Sequence, residues 1–526
     1  MKFMNLDKTA AYKRLKKLAK KFEKFDYAGA LDAVTVRGCN VPITEHLHYN
    51  WAAKRIHPEV LAALQELADE QNIIEKYKAL AGGAVYNTGE RRKVLHHLTR
   101  GDLVGKVAER RKDLGLFYRN EFDRSYEIID LIHRGQIVGS TGKLLRRIVQ
   151  VGIGGSDLGP RALYLGLEGW ASRFHHDKMK ADFISNVDPD DGVKVLSSLN
   201  YEETVFILVS KSGTTQETLV NERMIRRKLT RMGMDPSKHF IAVTSQNSPL
   251  AKSKDYLCSF YIDDYIGGRY SATSVVGGIM MAFAYGHDAF REILRGAHDA
   301  DLGALEPNIQ NNAAALDALI GVWERNFMGY NCTAVLPYSQ ALLRFPAHLQ
   351  QLDMESNGKS VNRAGKPVKY ETGPVVFGEP GTNGQHSFYQ LLHQGTGVVP
   401  LQFIGFEECQ RCDDIEVDGS TSQKKLNANL AAQIVAFAKG KASSELNKNF
   451  AGGRPSSLIY GKQLTPKTLG ALLAHYENKV MFQGFLWNLN SFDQEGVQLG
   501  KVLTKKALSG KSEDSVLDEY CKILGV

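Results

Sequence analysis

The stretch TVFILVSKSGTTQET, residues 204–218, decides the fold class. It opens with an unbroken apolar run, enters a turn rich in serine and threonine, and continues into a helical pattern. A strand that is apolar at every position is typical of a parallel sheet covered by helices on both faces. The stretch therefore predicts a strand, turn and helix unit with polar groups at the carboxyl end of a buried strand.

The same order of strand, polar or glycine-rich turn and helix recurs on both sides of this stretch. We predict further strands at 147–153, 181–186, 240–244 and 257–262, and a second series at 333–337, 374–378 and 398–406. Helices are predicted near 340–351 and from about 386. The chain is therefore predicted to be α/β, with two doubly wound, mainly parallel sheets flanked by helices.

Other parts of the chain carry weaker signals. Residues 1–114 are predicted to be mostly helical, residues 407–430 to form a polar surface connection, and the segment from about 508 to form a terminal arm with a helical end. Between Tyr12 and Lys24, apolar residues recur at helical spacing among lysines, which predicts an amphipathic helix docked on the protein. The alternative is a helix that binds RNA or a membrane surface.

Composition limits the classes of function. The 526 residues are 43% apolar and 24% charged, which is ordinary for a globular protein, and the formal net charge of +8 is a mild excess. That excess favours anionic substrates without indicating nucleic acid. The N-terminus lacks the apolar core of a signal peptide, and the apolar stretch 275–285 is shorter than the roughly 20 residues needed to span a bilayer. We expect a cytoplasmic protein with no membrane partner.

The six cysteines are too sparse for a disulfide framework. Cys409 and Cys412 form a lone CxxC, and no second cysteine or histidine pair follows at a spacing that would complete a zinc site. We expect reduced thiols, with a metal or redox site as the alternative. No metal and no cofactor are predicted.

The segment VGIGGSDLG, residues 151–159, follows one predicted strand and precedes a helix. A glycine-rich turn in this position presents backbone N–H groups to an anion. The dinucleotide fingerprint GxGxxG requires glycine at position 157, where this chain has Asp157. A small phosphate is the better ligand, and a tight turn without a ligand is the alternative.

The segment SKSGTTQET, residues 210–218, offers the strongest phosphate signal. Its serine and threonine hydroxyls, the Lys211 ammonium and the start of a helix together form a cradle for an anion. The alternative is a cluster of helix-capping residues, although one cap needs a single hydroxyl. No Walker motif is present, so a nucleoside triphosphate is not predicted.

Four further segments place single chemical groups beside glycine-rich turns. Arg269 in DDYIGGRYS can brace an oxyanion, and Glu355 in QQLDMESNGK is an acid, a base or an exposed carboxylate. His386 in GEPGTNGQHSFYQ suits proton transfer near neutral pH, or else has a structural role. Gln494 and Lys501 in NSFDQEGVQLGK are seven residues apart, which would place them on one face of a helix.

Together these segments resemble the phosphoglucose isomerase family. IGGRYSATSVVG (266–277) and GFLWNLNSFDQEGVQLGK (484–501) are similar to its two signature segments, and the other motifs are similar to further family segments in the expected order. The resemblance implies two sugar isomerase domains. The first spans 115–288, the second spans 289–507 together with the helical region 1–114, and an arm spans 508–526. It also implies a homodimer in which His386 comes from the neighbouring subunit.

The resemblance further implies an intramolecular oxidoreductase of glycolysis and gluconeogenesis. Such an enzyme interconverts glucose 6-phosphate and fructose 6-phosphate by ring opening and proton transfer through a cis-enediol. By resemblance, Glu355 moves the carbon-bound proton, His386 and Lys501 open the ring, and Arg269 stabilises negative charge. The implied substrate-binding residues are Gly155, Ser156, Ser210, Lys211, Ser212, Thr215, Gln351 and Gln494.

One position departs from the family pattern, since Gln498 stands where the second signature usually has glutamate. This puts the electrostatics around Lys501 in doubt. Three rival functions remain open at this point: a non-catalytic regulator that binds sugar phosphates, another phosphosugar isomerase or an aldolase-like enzyme, and a nucleotide-dependent oxidoreductase.

Overall fold

The computed structural model describes residues 3–510 and 512–526 and contains two main sheets. Three short antiparallel hairpins lie outside them, near residues 85–93, 108–113 and 416–421. Within the described residues, the strands of the two main sheets are β1 (Asn40–Thr44), β2 (Leu47–Asn50), β3 (Arg147–Val151), β4 (Lys180–Ile184), β5 (Thr204–Val209), β6 (Phe240–Thr244), β7 (Cys258–Tyr261), β8 (Cys332–Pro337), β9 (Val375–Phe377), β10 (Leu401–Glu408) and β11 (Ser456–Gln463).

The helices cover both sheets and form the N- and C-terminal regions. In the described part of the chain they are α1 (Ala10–Lys21), α2 (Tyr27–Ala30), α3 (Ala33–Gly38), α4 (Pro58–Glu70), α5 (Ile73–Ala81), α6 (Leu114–His133), α7 (Leu158–Arg173), α8 (Pro189–Leu196), α9 (Gln216–Arg231), α10 (Val275–Tyr285), α11 (His287–Gly303), α12 (Ala313–Asn326), α13 (Phe345–Leu349), α14 (Tyr389–Gln394), α15 (Ser422–Lys439), α16 (Pro466–Leu486), α17 (Gln498–Leu508) and α18 (Ser515–Leu524).

The smaller sheet is fully parallel and has the strand order β7-β6-β5-β3-β4. Every residue of the central strand β5 is buried, as its unbroken apolar sequence predicts. The predicted strands of this series are confirmed, with ends that differ by at most two residues. Because all five strands run the same way, their carboxyl ends and the loops that follow share one edge of the sheet.

The larger sheet is mixed and has the order β1-β2-β11-β10-β8-β9. Strands β11, β10, β8 and β9 are parallel, and the edge hairpin β1-β2 joins β11 antiparallel. The α/β fold class is therefore confirmed, but the mostly helical prediction for residues 1–114 is wrong at β1 and β2, and β11 was not predicted. These strands alternate buried with partly exposed residues, so they lack the continuous apolar run that marks the others.

Two further predictions are resolved by the helices. Helix α10 is buried at all eleven positions, which confirms the prediction of a buried helix at 275–285. No helix in the described residues is both long enough and apolar enough to cross a bilayer.

The predicted surface connection at 407–430 is wrong in part, since it contains a short hairpin and the first half of α15. The domain boundaries at 115, 289 and 508 stay predictions.

A buried group of charges ties the helical layer to the loop that carries Arg269. The Arg100 guanidinium lies 3.0 Å from the Asp301 carboxylate and is hydrogen bonded to Glu477, and all three side chains are buried. Its Nε donates to Thr273 Oγ1 at 3.2 Å. Burial raises the pKa of Glu477 to about 7, and the Arg100 charge opposes that rise. Helices α11 and α16 and the loop before α10 are thereby held together.

The lysine-rich N-terminal stretch forms α1, whose apolar face packs against α4. Leu15 is completely buried, while Lys16 next to it is exposed. Its ion pairs with α4 include Lys21 with Glu59 at 2.7 Å. The prediction of a docked amphipathic helix is confirmed.

Replacing Leu15 with alanine is expected to lower the free energy of unfolding by about 2–5 kcal/mol, because it leaves a cavity between α1 and α4. Urea unfolding of the purified protein measures the change. The control is Lys16→Ala, which lies on the exposed face of the same helix and should change stability by less than about 0.5 kcal/mol. Equal stability of the two variants would contradict the packing of α1.

Candidate active site

A cleft of about 720 Å³ opens at the carboxyl ends of the smaller sheet. Its walls are the loops after β3, β5, β6 and β7, together with the turn at 350–355 and the segment 492–501. It brings together all but one of the site residues predicted from the sequence: Gly155, Ser156, Ser210, Lys211, Ser212, Thr215, Arg269, Gln351, Glu355, Gln494 and Lys501. Segments that are nearly 350 residues apart in the chain thus meet around one space.

Two glycine turns touch each other at the floor of the cleft. Gly154 has a φ of +61°, a conformation that side chains disfavour. A Cβ atom at Gly155 would lie 2.1 Å from the Gly268 carbonyl carbon and 2.7 Å from the Arg269 nitrogen. Glycine at 155 is therefore required by the backbone contact that sets the position of Arg269.

The hydroxyl-rich loop after β5 is arranged for an anion. Ser210 Oγ donates to Thr215 Oγ1 at 3.1 Å, and the Ser212 hydroxyl accepts from the Thr214 N–H at 3.2 Å. Thr215 is the N-cap residue of α9, but its side chain makes no capping hydrogen bond. The amides of the first turn of this helix are thus left to bind a ligand, which argues against a purely capping role for the loop.

Lys211 fixes the hydroxyl-rich loop to the neighbouring loop. Its ammonium donates to the carbonyl oxygens of Asp264 and Ile266, at 3.1 and 2.7 Å. Burial lowers the pKa of Lys211, and the nearby Asp264 carboxylate opposes that effect. Because its hydrogen-bond partners are neutral carbonyls, the ammonium contributes positive charge to this end of the cleft.

Arg269 lies in a short 3-10 turn and is only 2% exposed. Its Nε donates to Ser356 Oγ at 2.7 Å, and its Nη2 donates to the carbonyl oxygens of Ser491 and Asp493 at 2.6 and 3.1 Å. Its Nη1 lies 3.3 Å from Glu355 Oε2. The guanidinium is rigidly held and directs one edge toward the Glu355 carboxylate.

Glu355 ends a π-helical turn, Gln350–Glu355, that follows α13 directly. Such turns add a residue to a helix and occur often at functional sites. The Glu355 side chain is 22% exposed, so its carboxylate can meet a ligand while it pairs with Arg269. In the same turn, the buried Gln351 Oε1 has no hydrogen-bond partner among the described residues, which leaves it available to a ligand.

The segment after residue 490 differs in one respect from the prediction. Lys501 lies on α17, which begins at Gln498, but Gln494 precedes the helix and has a non-helical backbone conformation. The two residues therefore do not share a helical face, although both line the cleft. The reason is a 3-10 turn at Glu495–Val497 that interrupts the helical pattern. Gln498 is exposed on the same helix as Lys501, and no hydrogen bond joins these two described residues.

His386 is the predicted site residue that lies apart from the others. It ends a 3-10 turn, Asn383–His386, is exposed, and does not line the cleft. A second opening of about 760 Å³, here called the groove, adjoins the cleft and shares Gln351, Glu355 and Gln494 with it. His386 does not line the groove either, so within one chain the imidazole is not brought to the carboxylate.

The sequence reasoning missed several residues at the rim of the cleft. Glu90, Arg92 and Lys93 come from the N-terminal region, Ser245, Asn247 and Ser248 follow β6, and Glu217 lies in the first turn of α9. The serines and the asparagine could have been found, because they follow the carboxyl end of a predicted strand. Glu90, Arg92 and Lys93 lie in the segment 87–100, which is similar to a further family segment, but its residues alone do not place it at the cleft.

The described residues give little support to a dinucleotide site or a metal site. Asp157, which interrupts the dinucleotide fingerprint, is buried and pairs with Arg161 at 2.7 Å. In residues 3–510 and 512–526, no three His, Cys, Asp or Glu side chains are grouped so that they could hold a metal ion. The six cysteines are free thiols, as predicted, and Cys412 Sγ contacts the Cys409 carbonyl oxygen at 3.5 Å.

Comparisons with known proteins identify close relatives. Residues 50–521 match the family model described as phosphoglucose isomerase. A glucose-6-phosphate isomerase of Treponema denticola is 58% identical over 514 residues, which is 97% of each chain, and that of Borreliella afzelii is 48% identical over 93% of this chain and 92% of its own. The crystal structure of a glucose-6-phosphate isomerase from Chlamydia trachomatis is 40% identical, covers 99% of both chains, and superposes with a TM-score of 0.93.

A methyl group at position 155, on the floor of the cleft, is expected to reduce catalytic activity. Gly155→Ala should reduce turnover by about 100-fold, because separating the two glycine turns by even 1 Å displaces Arg269. The loss is measured by a coupled dehydrogenase assay, in which absorbance follows the isomerisation that the relatives are named for. Gly38→Ala, where a Cβ meets open space, is the control and should retain full activity. Normal turnover in both variants would contradict a tight contact at Gly155.

Proposed function

Because this chain belongs to the phosphoglucose isomerase family, we propose that the cleft interconverts glucose 6-phosphate and fructose 6-phosphate. The reaction is an intramolecular oxidation and reduction. One hydrogen moves from C2 to C1 of the open-chain sugar, and one moves from O2 to O1. The observation that carries the proposal is the convergence on one cleft of an anion-binding loop, the Glu355 carboxylate and the Arg269 guanidinium.

The phosphate occupies the end of the cleft formed by the loops after β3 and β5. The uncapped amides of α9 and the hydroxyls of Ser210, Ser212 and Thr215 support this assignment, and Lys211 adds positive charge. Ser156, beside the Gly154-Gly155 turn, contributes a further hydroxyl. Holding the phosphate at this end positions the reacting carbons at the other, and this binding energy lowers the barrier to the chemical step.

Proton transfer between the carbons takes place at the Glu355 carboxylate. In the direction of fructose 6-phosphate, Glu355 removes the proton from C2, which gives a cis-enediol, and returns it to C1. Negative charge develops on the oxygens of C1 and C2 during this step. The Arg269 guanidinium, 3.3 Å from Glu355, is held by four other hydrogen bonds and meets that charge without having to reorganise.

Ring opening precedes proton transfer and requires a group that moves a proton from O1 to the ring oxygen. We assign it to His386 of a second copy of the chain, with Lys501 assisting from α17. The groove beside Glu355 offers an open path to the reacting carbons for such a residue. A homodimer is also supported by α17 and α18, whose side chains are all unburied and include Leu499, Ile523 and Leu524 at 68–75% exposure.

Other functions fit the site less well. A non-catalytic sugar-phosphate regulator would need the phosphate loop but neither Glu355 nor its guanidinium partner. A nucleotide-dependent oxidoreductase would need room for a dinucleotide at the first glycine turn. In this chain Asp157 lies at that turn and forms an ion pair with Arg161. The cytoplasm is the proposed location, since both substrates are intermediates of sugar metabolism.

Glu355→Gln is expected to reduce turnover by about 10²–10⁴-fold, because the amide cannot accept the proton from C2. Binding of fructose 6-phosphate, measured by calorimetry, should remain, since the phosphate loop is untouched. The control is Glu407→Gln, a glutamate on β10 outside the cleft. Normal turnover in Glu355→Gln would exclude it as the base.

Subunit mixing tests the origin of His386. Glu355→Gln and His386→Ala should each be inactive on ring-closed substrate. Refolding the two together should restore about a quarter of the wild-type activity, because half of the dimers are mixed and each has one intact site. If His386 served its own chain, every site in a mixed dimer would lack one group, and no activity would return.

A further inference from the structure

Lys359, four residues after Glu355, has its ammonium surrounded by oxygen atoms. It donates to the carbonyl oxygens of Glu355 and Ser356 at 3.3 and 2.8 Å. It also donates to those of Asn490 and Asp493 at 2.6 and 3.1 Å. The Asp493 carboxylate lies 3.2 Å away, and both side chains are 16% exposed. An ammonium has three hydrogens, so five oxygens within reach are more than it can bond at once.

These oxygens belong to two segments that are far apart in the chain. One is the end of the π-helical turn that carries Glu355, and the other is the loop 490–493, which leads to Gln494 and Lys501. The same loop accepts from Arg269 through the carbonyl oxygens of Ser491 and Asp493. The Asp493 carbonyl oxygen accepts from both side chains, so the cations of Lys359 and Arg269 hold the same loop.

We propose that Lys359 is a positioning residue for the proton transfer: it holds the turn of Glu355 and the loop that binds Arg269 in one frame. The proposal rests on the assignment of Glu355 as the base. Lys359 lines the groove but not the cleft, so it acts through Glu355 and Arg269 rather than on the phosphate. Four of its five oxygen partners are backbone carbonyls, which any residue type can supply.

The charged groups that face Lys359 are Arg269, Asp493 and Glu355. Burial, and then the Arg269 charge, lower the pKa of Lys359 to about 8, while Asp493 and Glu355 oppose that fall. The ammonium is therefore present below pH 8 and is lost as pH rises through that value. Turnover that depends on this ammonium falls on the alkaline side of the pH profile.

Lys359→Met removes the charge and the donors while keeping most of the side-chain volume. We expect kcat to fall about 30- to 100-fold and KM to change less than about threefold, because the phosphate loop does not contact Lys359. The alkaline fall in kcat that follows loss of the Lys359 ammonium should be absent from this variant. Lys366→Met, an exposed lysine on the same segment, is the matched control and should behave as the wild type.

Asp493→Asn tests the other partner. Losing this carboxylate removes a group that raises the pKa of Lys359, so the alkaline limb should move to lower pH. Lys359→Ala offers a chemical test, because the groove gives a small amine access to the vacated space. Propylammonium should restore turnover to this variant, and propanol of the same size should not.

A Lys359→Met enzyme with kcat within twofold of the wild type would overturn the proposal. A fall in kcat with an equal rise in KM and an unchanged alkaline limb would do the same, because general loosening of the structure predicts that pattern. If Lys359→Met does not fold, the alkaline limb of Asp493→Asn decides, and an unmoved limb rejects the proposal. Full turnover in Glu355→Gln would instead refute the assigned base, which separates the two failures.

Discussion

The cleft depends on one buried guanidinium. Arg269 joins the turn of Glu355, the loop 490–493 and, through the backbone contact at Gly155, the first glycine turn of the smaller sheet. Because its hydrogen bonds are fixed by the fold, the field that it exerts on Glu355 is in place before any substrate arrives.

The cations around the cleft are held mainly by backbone carbonyl oxygens. Lys211 has two such partners, Arg269 has two and Lys359 has four. A carbonyl fixes the position of a cation without cancelling its charge, whereas a carboxylate would neutralise it. Lys211, whose hydrogen-bond partners are both carbonyls, can therefore keep its positive charge for an anion, whereas Arg269 and Lys359 also pair with the carboxylates of Glu355 and Asp493.

Most of the strands and most of the cleft residues could be predicted from the sequence. The features that could not be predicted were missed for physical reasons. Strands such as Thr204–Val209 are apolar throughout, so their positions and the polar groups after them were predictable. The strands at 40–50 and 456–463 are partly exposed, and their patterns are easily taken for loops or helices. The rim residues Arg92 and Lys93 and the partners of Lys359 depend on tertiary contacts or on backbone atoms, which leave no local signature. The proposal that His386 reaches Glu355 from a second chain stays a prediction.

The contact between the two glycine turns also bears on redesign of the enzyme. Backbone meets backbone there, so no natural side chain can be introduced to reshape the floor of the pocket. Variation is tolerated more readily at the entrance, where Glu90, Arg92 and Lys93 project from a separate region of the chain. An engineer who wants to change the preferred sugar should therefore diversify that entrance and leave the glycine floor untouched.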